Sequence, residues 1–348
     1  MKTAANRLGV LWCLIHFALE IICFQYYTFC FGSTALAAVI AFIYDVIAFF
    51  PQFLIGAAVE KHSQFPVGKT GAALVLLGAC TAFCAAVPLR ITGLIVLSAG
   101  NAFVHVGGAE ATLFTCREKI APSAVFVAGG AAGVGIGKIL GARLGSVTVG
   151  LLVMCAASVL ICMADSLMRK TGRTKPEIRM ADPRRNPAVV VWLAFFVVTV
   201  RGMLAYGIPT GWVKSWQQTL ALFMMMAVGK AAGGICSDRF GAKKTALLST
   251  GLSVPLLLLG AENMTISLVG IMFFSMTMAS TLGILVSAAP DHPLVAYGMT
   301  TVGLLLGTLS AVFPGVRDFL SQGIVLTVLS VLCFAALFYI MRPDREDA

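Results

Sequence analysis

The sequence predicts an all-α polytopic membrane protein of about twelve transmembrane helices, arranged as two pseudo-symmetric six-helix bundles. Three observations predict it: the composition, the sorting of basic residues into alternate loops, and an echo between the two halves. Of 348 residues, 59% are hydrophobic and 11% charged, whereas ordinary soluble domains carry about a quarter of their residues charged. A water-soluble fold of this size cannot hide that much apolar surface. Runs of roughly 18 or more apolar residues are instead long enough to cross about 30 Å of hydrocarbon as helix.

Charge, Gly and Pro cut the first half into spans near Leu8–Cys30, Ser33–Val59, Thr70–Val87, Ile91–Thr115, Ser123–Leu140 and Ser146–Met168. The first run resembles a secretory signal after Lys2 and Arg7, but it is long, carries His16 and Glu20 and lacks a small-residue cleavage site, so it reads as a span. A basic linker follows at 169–187 with Arg169, Lys170, Arg173, Lys175, Arg179, Arg184 and Arg185. The second half, 188–348, gives spans near Ala188–Gly207, Ser215–Ile235, Thr245–Leu259, Met264–Ala289, Leu294–Phe313 and Ser321–Met341.

With both termini inside, Lys2, Arg7, Lys61, Lys69, Arg117, Lys119, the linker residues, Arg239, Lys243, Lys244, Arg342 and Arg345 share one face. Only Arg90, Arg143, Lys214 and Arg317 fall on the other, which predicts a cytoplasmic side for the first set. A multi-pass protein of an inner (cytoplasmic) membrane is the expectation. The net charge of +10 is thereby a matter of topology and not of nucleic acid.

The third observation is internal. Gly56, Glu60 and Lys61 after the second span match Gly234, Asp238 and Arg239 after the eighth, at a constant offset of 178 residues. Parallel six-helix repeats with a site between them at mid-membrane are the architecture of one large class of secondary transporters.

The run Gly233-Gly234-Ile235-Cys236-Ser237-Asp238-Arg239-Phe240-Gly241-Ala242-Lys243-Lys244 resembles the signature loop of the major facilitator superfamily. The resemblance implies a conformational latch formed by Gly234, Asp238, Arg239, Gly241, Lys243 and Lys244, with Gly56, Glu60 and Lys61 as a degraded first-half copy. The glycine permits close helix approach, and the charges can form a network at the helix ends. Gly100-Asn101-Ala102-Phe103-Val104-His105 in the fourth span is similar to a run in fosmidomycin-resistance-type exporters. So is the Gly-rich run Gly129 to Gly137, although Lys138 stands where those exporters place Pro.

Ionisable groups inside a membrane are costly and therefore candidates for function. His16, Glu20, Cys23 and Tyr27 recur along one face of the first helix. Glu20 and His16 are the leading proton-coupling candidates. Asp45 in the second span has no basic residue at helical spacing, and His105 and Glu110 in the fourth complete the set. Tyr27, Asn101, Lys138, Arg201 and Lys230 are candidate substrate contacts, the three cations favouring an anionic or zwitterionic solute. The plainer reading pairs those cations with Asp45, Glu20 and Glu110 as salt bridges.

Gly129, Gly133, Gly137 and Gly141, spaced by four, predict a groove for close packing of the fifth span. No cofactor and no metal is expected: Cys80 and Cys84 lack a third ligand, and Met224-Met225-Met226 reads as packing. No nucleotide-binding loop and no nucleophile–base set is present, so an enzyme is not expected. The expected function is proton-coupled carriage of a small solute across the bilayer by alternating access, with no oligomer required. An uncoupled facilitator and a transporter-like sensor or assembly partner are the alternatives.

Overall fold

The computed structural model describes residues 2–344. Arg345 lies outside the described residues, and so does the side chain of Lys2. Among the described residues, eleven helices are long and apolar enough to cross a membrane, and a shorter apolar helical run, Val67–Phe83, stands where the third span is expected.

The first half contains α1 (Lys2–Phe31), α2 (Ala37–Phe49), α3 (Pro51–Lys61), α4 (Val67–Cys80) with a 3-10 turn at Thr81–Phe83, α5 (Val87–Leu113), α6 (Ala121–Leu144) and α7 (Thr148–Thr171). The second contains α8 (Pro187–Gly207), α9 (Trp216–Phe240), α10 (Ala242–Leu259), α11 (Met264–Ala288), α12 (Pro293–Val312), α13 (Pro314–Leu320) and α14 (Gly323–Ile340). The second span is one crossing broken at Pro51, so α2 and α3 together form it. The predicted third span ran to Val87, but α5 claims that residue. Pro88 sits in its first turn, where a missing N–H costs nothing.

Helix ends sort into two faces. The face carrying the start of α1 and Asp344 is the basic one: Lys61, Arg117, the linker and Arg239 all lie there, and we call it the basic face. Gly145, the Thr81–Ala86 turn and Ile208–Ser215 lie on the opposite face.

The glycine groove of α6 takes the backbone of α1. A Cβ added at Gly129, Gly133, Gly137 or Gly141 would come within 2.1 to 2.7 Å of the carbonyl oxygens of Cys13, Phe17, Ile21 and Gln25 in turn. The matched step of four on both helices makes α1 and α6 a parallel, closely packed pair. In the second half Gly307 of α12 meets the backbone of Gly202 on α8 in the same manner. Among the cysteines of the apolar helices, Cys80, Cys155 and Cys162 are exposed, on outward faces where a thiol sits comfortably against lipid.

After Gly172, whose φ of 77° ends α7, the linker runs as an extended strap across the basic face. Thr174 and Glu177 amides donate to the carbonyls of Phe114 and Arg117 in the first half. Asp182 N–H then donates to the Ile340 carbonyl, and Arg342 N–H to that of Met180, in the second. Ile178 and Met180 are buried, and Met180 covers Gly283 of α11. Arg184 donates two side-chain hydrogen bonds to Asp182 and holds that carboxyl at about 2, so the bracket stays charged near neutrality.

Candidate functional site

The polar face of α1 meets the polar face of α5 in the interior. Asn101 is fully buried, and its Nδ2 donates to Glu20 Oε1 at 2.9 Å and to the Tyr44 hydroxyl oxygen at 2.9 Å. His16 Nε2 lies 3.5 Å and His105 Nε2 3.7 Å from the same carboxylate oxygen. The two imidazoles stand edge to face with centroids 4.3 Å apart. His16, Glu20 and His105 are 5%, 5% and 6% exposed, so a charge there is taken out of water and held only by these partners. Gly130 makes room for this cluster: a Cβ there would fall 2.3 Å from His16 Nε2.

Phe126 of α6 stacks against His16 at 5.0 Å and lies 6.2 Å from Trp12 and 6.4 Å from Tyr297 of α12. These rings close the cluster on the side toward the basic face. Lys230 of α9 lies within electrostatic reach of Glu20 and His105. Further along, Lys138 sits over the rings of Phe24 at 5.4 Å and Phe223 at 5.3 Å, within electrostatic reach of Asp45. Asp45 is half-buried, and Lys138 and Tyr206 are exposed.

The remaining candidates stand elsewhere. Tyr27 spends its hydroxyl on the Ala37 carbonyl at 2.9 Å. Glu110 lies nearer the basic face and pairs with Arg173 of the strap at 3.3 Å. Arg201 is buried, stacks on Phe274 at 3.9 Å and donates to the Phe274 carbonyl. It is thereby turned into the packing between α8 and α11, with Cys333 of α14 close by. Tyr44, Phe126 and Tyr297 were not singled out in the sequence. An aromatic residue in an apolar helix carries no distinguishing signal, and only the polar neighbour Asp45 pointed toward Tyr44.

The latch residues form two matching contacts across the halves. Asp238 of α9 accepts the amides of Ile120 and Ala121 at 3.0 and 2.9 Å, capping the N-terminus of α6. Glu60 of α3 accepts the amide of Leu294 at 2.7 Å and faces His292 Nδ1 at 3.1 Å, capping the N-terminus of α12. Each half thus caps the fifth span of the other. Gly234 fits against Ala124, and Gly56 against the Leu294 carbonyl.

Both latch carboxylates thus rest on backbone amides at a helix start. The basic pair of the motif meets Asp344: the Lys243 and Lys244 amides donate to its carboxylate, and Gly241, at φ 102°, leaves the room. Arg239 stacks over Phe240 at 5.5 Å, and Lys61 is exposed.

No family model matches the chain, and no curated protein matches it in sequence. The fold does match. A crystal structure of FucP, a major facilitator superfamily transporter in the outward conformation, aligns at a TM-score of 0.66 and 12% identity, covering 95% of this chain and 98% of that one. The chain has the major facilitator fold. Two further structures agree. A variant of the E. coli fucose:proton symporter FucP aligns at 0.62 and 15% identity over 97% of each chain. The human organic anion transporter MFSD10 (TETRAN) aligns at 0.63 and 14% identity, over 97% of this chain and 98% of that one. Lys230 of α9 and Tyr297 of α12 bring residues of the second half to the Glu20 cluster.

Proposed function

We propose that the protein is a secondary transporter that carries a small anionic or zwitterionic solute by alternating access, coupled to protons. The observation that supports this most strongly is a buried carboxylate, Glu20, shared by two imidazoles and an amide midway along α1, with a cation of the other half within electrostatic reach. Such a group can hold a proton in one state and release it in another. Lys138 and Lys230 offer positive charge to a solute, and Asp45 and Glu20 compete for the same cations when it leaves. The structural neighbours include a fucose:proton symporter and an organic anion transporter, which is in keeping with either feature.

Residues 1–168 and 188–348 are the moving bodies in this reading, and 169–187 joins them on the cytoplasmic side of an inner membrane. The caps of Asp238 and Glu60 hold the basic face shut in this reading, while Lys138, further along α6 toward the opposite face, is exposed. Glu110 belongs with the strap as a part of that closure. Asp238→Ala deletes two charge-assisted hydrogen bonds worth about 1.5–3 kcal/mol each. It is expected to shift the population toward the form open at the basic face by roughly tenfold or more. Thiol labelling of Leu294→Cys from that face, faster in the variant, checks it.

The test of the proposed function is uptake by proteoliposomes of a panel of organic anions, zwitterions and cations, with internal pH recorded and with or without an imposed proton gradient. Accumulation of an anion or zwitterion only with the gradient is expected. Equal, purely downhill flux in both conditions would leave an uncoupled facilitator.

A further inference from the structure

We propose that His16, Glu20 and His105 form a binding site for one divalent transition-metal ion of the Zn2+ or Co2+ type. The argument begins with the ring nitrogens that face away from the carboxylate. His16 Nδ1 lies 3.1 Å from the Phe126 carbonyl oxygen, and His105 Nδ1 lies 3.0 Å from that of Asn101. A carbonyl oxygen only accepts, so each Nδ1 carries its proton, and in the neutral ring each Nε2 presents a lone pair. The two Nε2 atoms lie 3.5 and 3.7 Å from Glu20 Oε1, and the three ligand atoms lie within 4.8 Å of one another. Three converging acceptors repel one another unless a proton or a metal ion lies between them.

The spacing selects the kind of cation. The separations of 3.5 and 3.7 Å are longer than a charge-assisted N–H···O bond, which runs about 2.7–2.9 Å. They lie close to the edge of a tetrahedron with bonds of about 2.0–2.2 Å, about 3.3–3.6 Å, the geometry of zinc with nitrogen and oxygen ligands. Two imidazoles and one carboxylate are a known zinc donor set, with one position left for water or another ligand.

The outer shell also has the form that metal-bound imidazoles require. Both rings are fixed by Nδ1–H to backbone carbonyls, and Asn101 orients the carboxylate. Gly130 leaves the edge of His16 uncovered. Lys230 opposes a dication here, being within reach of both Glu20 and His105, while Asp45, within reach of Glu20, partly offsets it. The site rests on this geometry and not on the transport reading, because binding is read without flux.

The experiment is an optical titration with Co2+ of the full chain, purified in detergent without a polyhistidine tag. One equivalent bound per chain, with the intense visible bands of four- or five-coordinate Co2+ and displacement by Zn2+, is expected. Glu20→Gln and His105→Gln should each weaken binding at least about tenfold, and Asn101→Ala by about tenfold as an outer-shell change. Lys230→Gln should tighten it, a gain that misfolding cannot mimic. His62→Gln and His292→Gln, which remove the other two histidines of the chain, should leave it unchanged. Failure of the wild type to bind stoichiometrically would overturn the site. Binding that survives both Glu20→Gln and His105→Gln would also overturn it.

Discussion

Glu20→Gln is expected to preserve exchange of solute across the membrane while abolishing its accumulation against a gradient. The amide keeps the shape of the side chain and can still accept from Asn101, whose Nδ2 lies 2.9 Å from Oε1. It cannot bind and release a proton, and it removes the one carboxylate that both His16 and His105 face. Internal pH and labelled solute recorded together check this. A variant that still accumulates solute with a proton gradient would move the coupling site elsewhere, with Asp45 next in line because it faces the exposed Lys138.

Gly133→Leu is expected to be the most damaging single change to the fold. A Cβ alone at this position would fall 2.4 Å from the Phe17 carbonyl oxygen and 2.8 Å from Glu20 Cβ. Neither can yield, since one is helix backbone and the other carries the buried carboxylate. Overpacking costs about 1–3 kcal/mol in ordinary cores and more where backbone is the obstacle. The variant should lose its monodisperse peak on size exclusion. Gly145→Leu, at a surface turn with open space around it, should keep that peak despite a φ of 57°. Equal behaviour of the two would contradict close α1–α6 packing.

The fold was legible because its signals are local. Apolar length, loop charge and the spacing of Gly129 to Gly141 each act within one helix or one turn. Half of the site was legible for the same reason: His16 with Glu20, and Asn101 with His105, share helical faces. That the two faces meet on a single carboxylate oxygen is a tertiary fact, and spacing within one helix cannot carry it. Glu110 shows the limit well. Its partner Arg173 lies on a strap that is non-helical and distant in sequence, so the residue read like its buried neighbours. Arg201 was read toward a cavity, yet its face is shared with Phe274, and a flat guanidinium over an aromatic ring is an equally good home for a buried cation. The echo of Glu60 and Asp238 announced equivalent roles. Their targets, the amides that start α12 and α6, belong to the opposite halves and leave no mark in the motif.

The most direct test of carriage by alternating access is counterflow. Proteoliposomes loaded with an unlabelled solute from the responsive class are diluted into a trace of the same solute labelled, with no ion gradient imposed. A carrier that exposes one site to each side in turn gives a transient overshoot of label inside, and that overshoot is the result expected here. Equilibration without an overshoot would indicate a continuous pore. Saturable binding of the solute with no movement of label would make the protein a membrane sensor with the major facilitator fold.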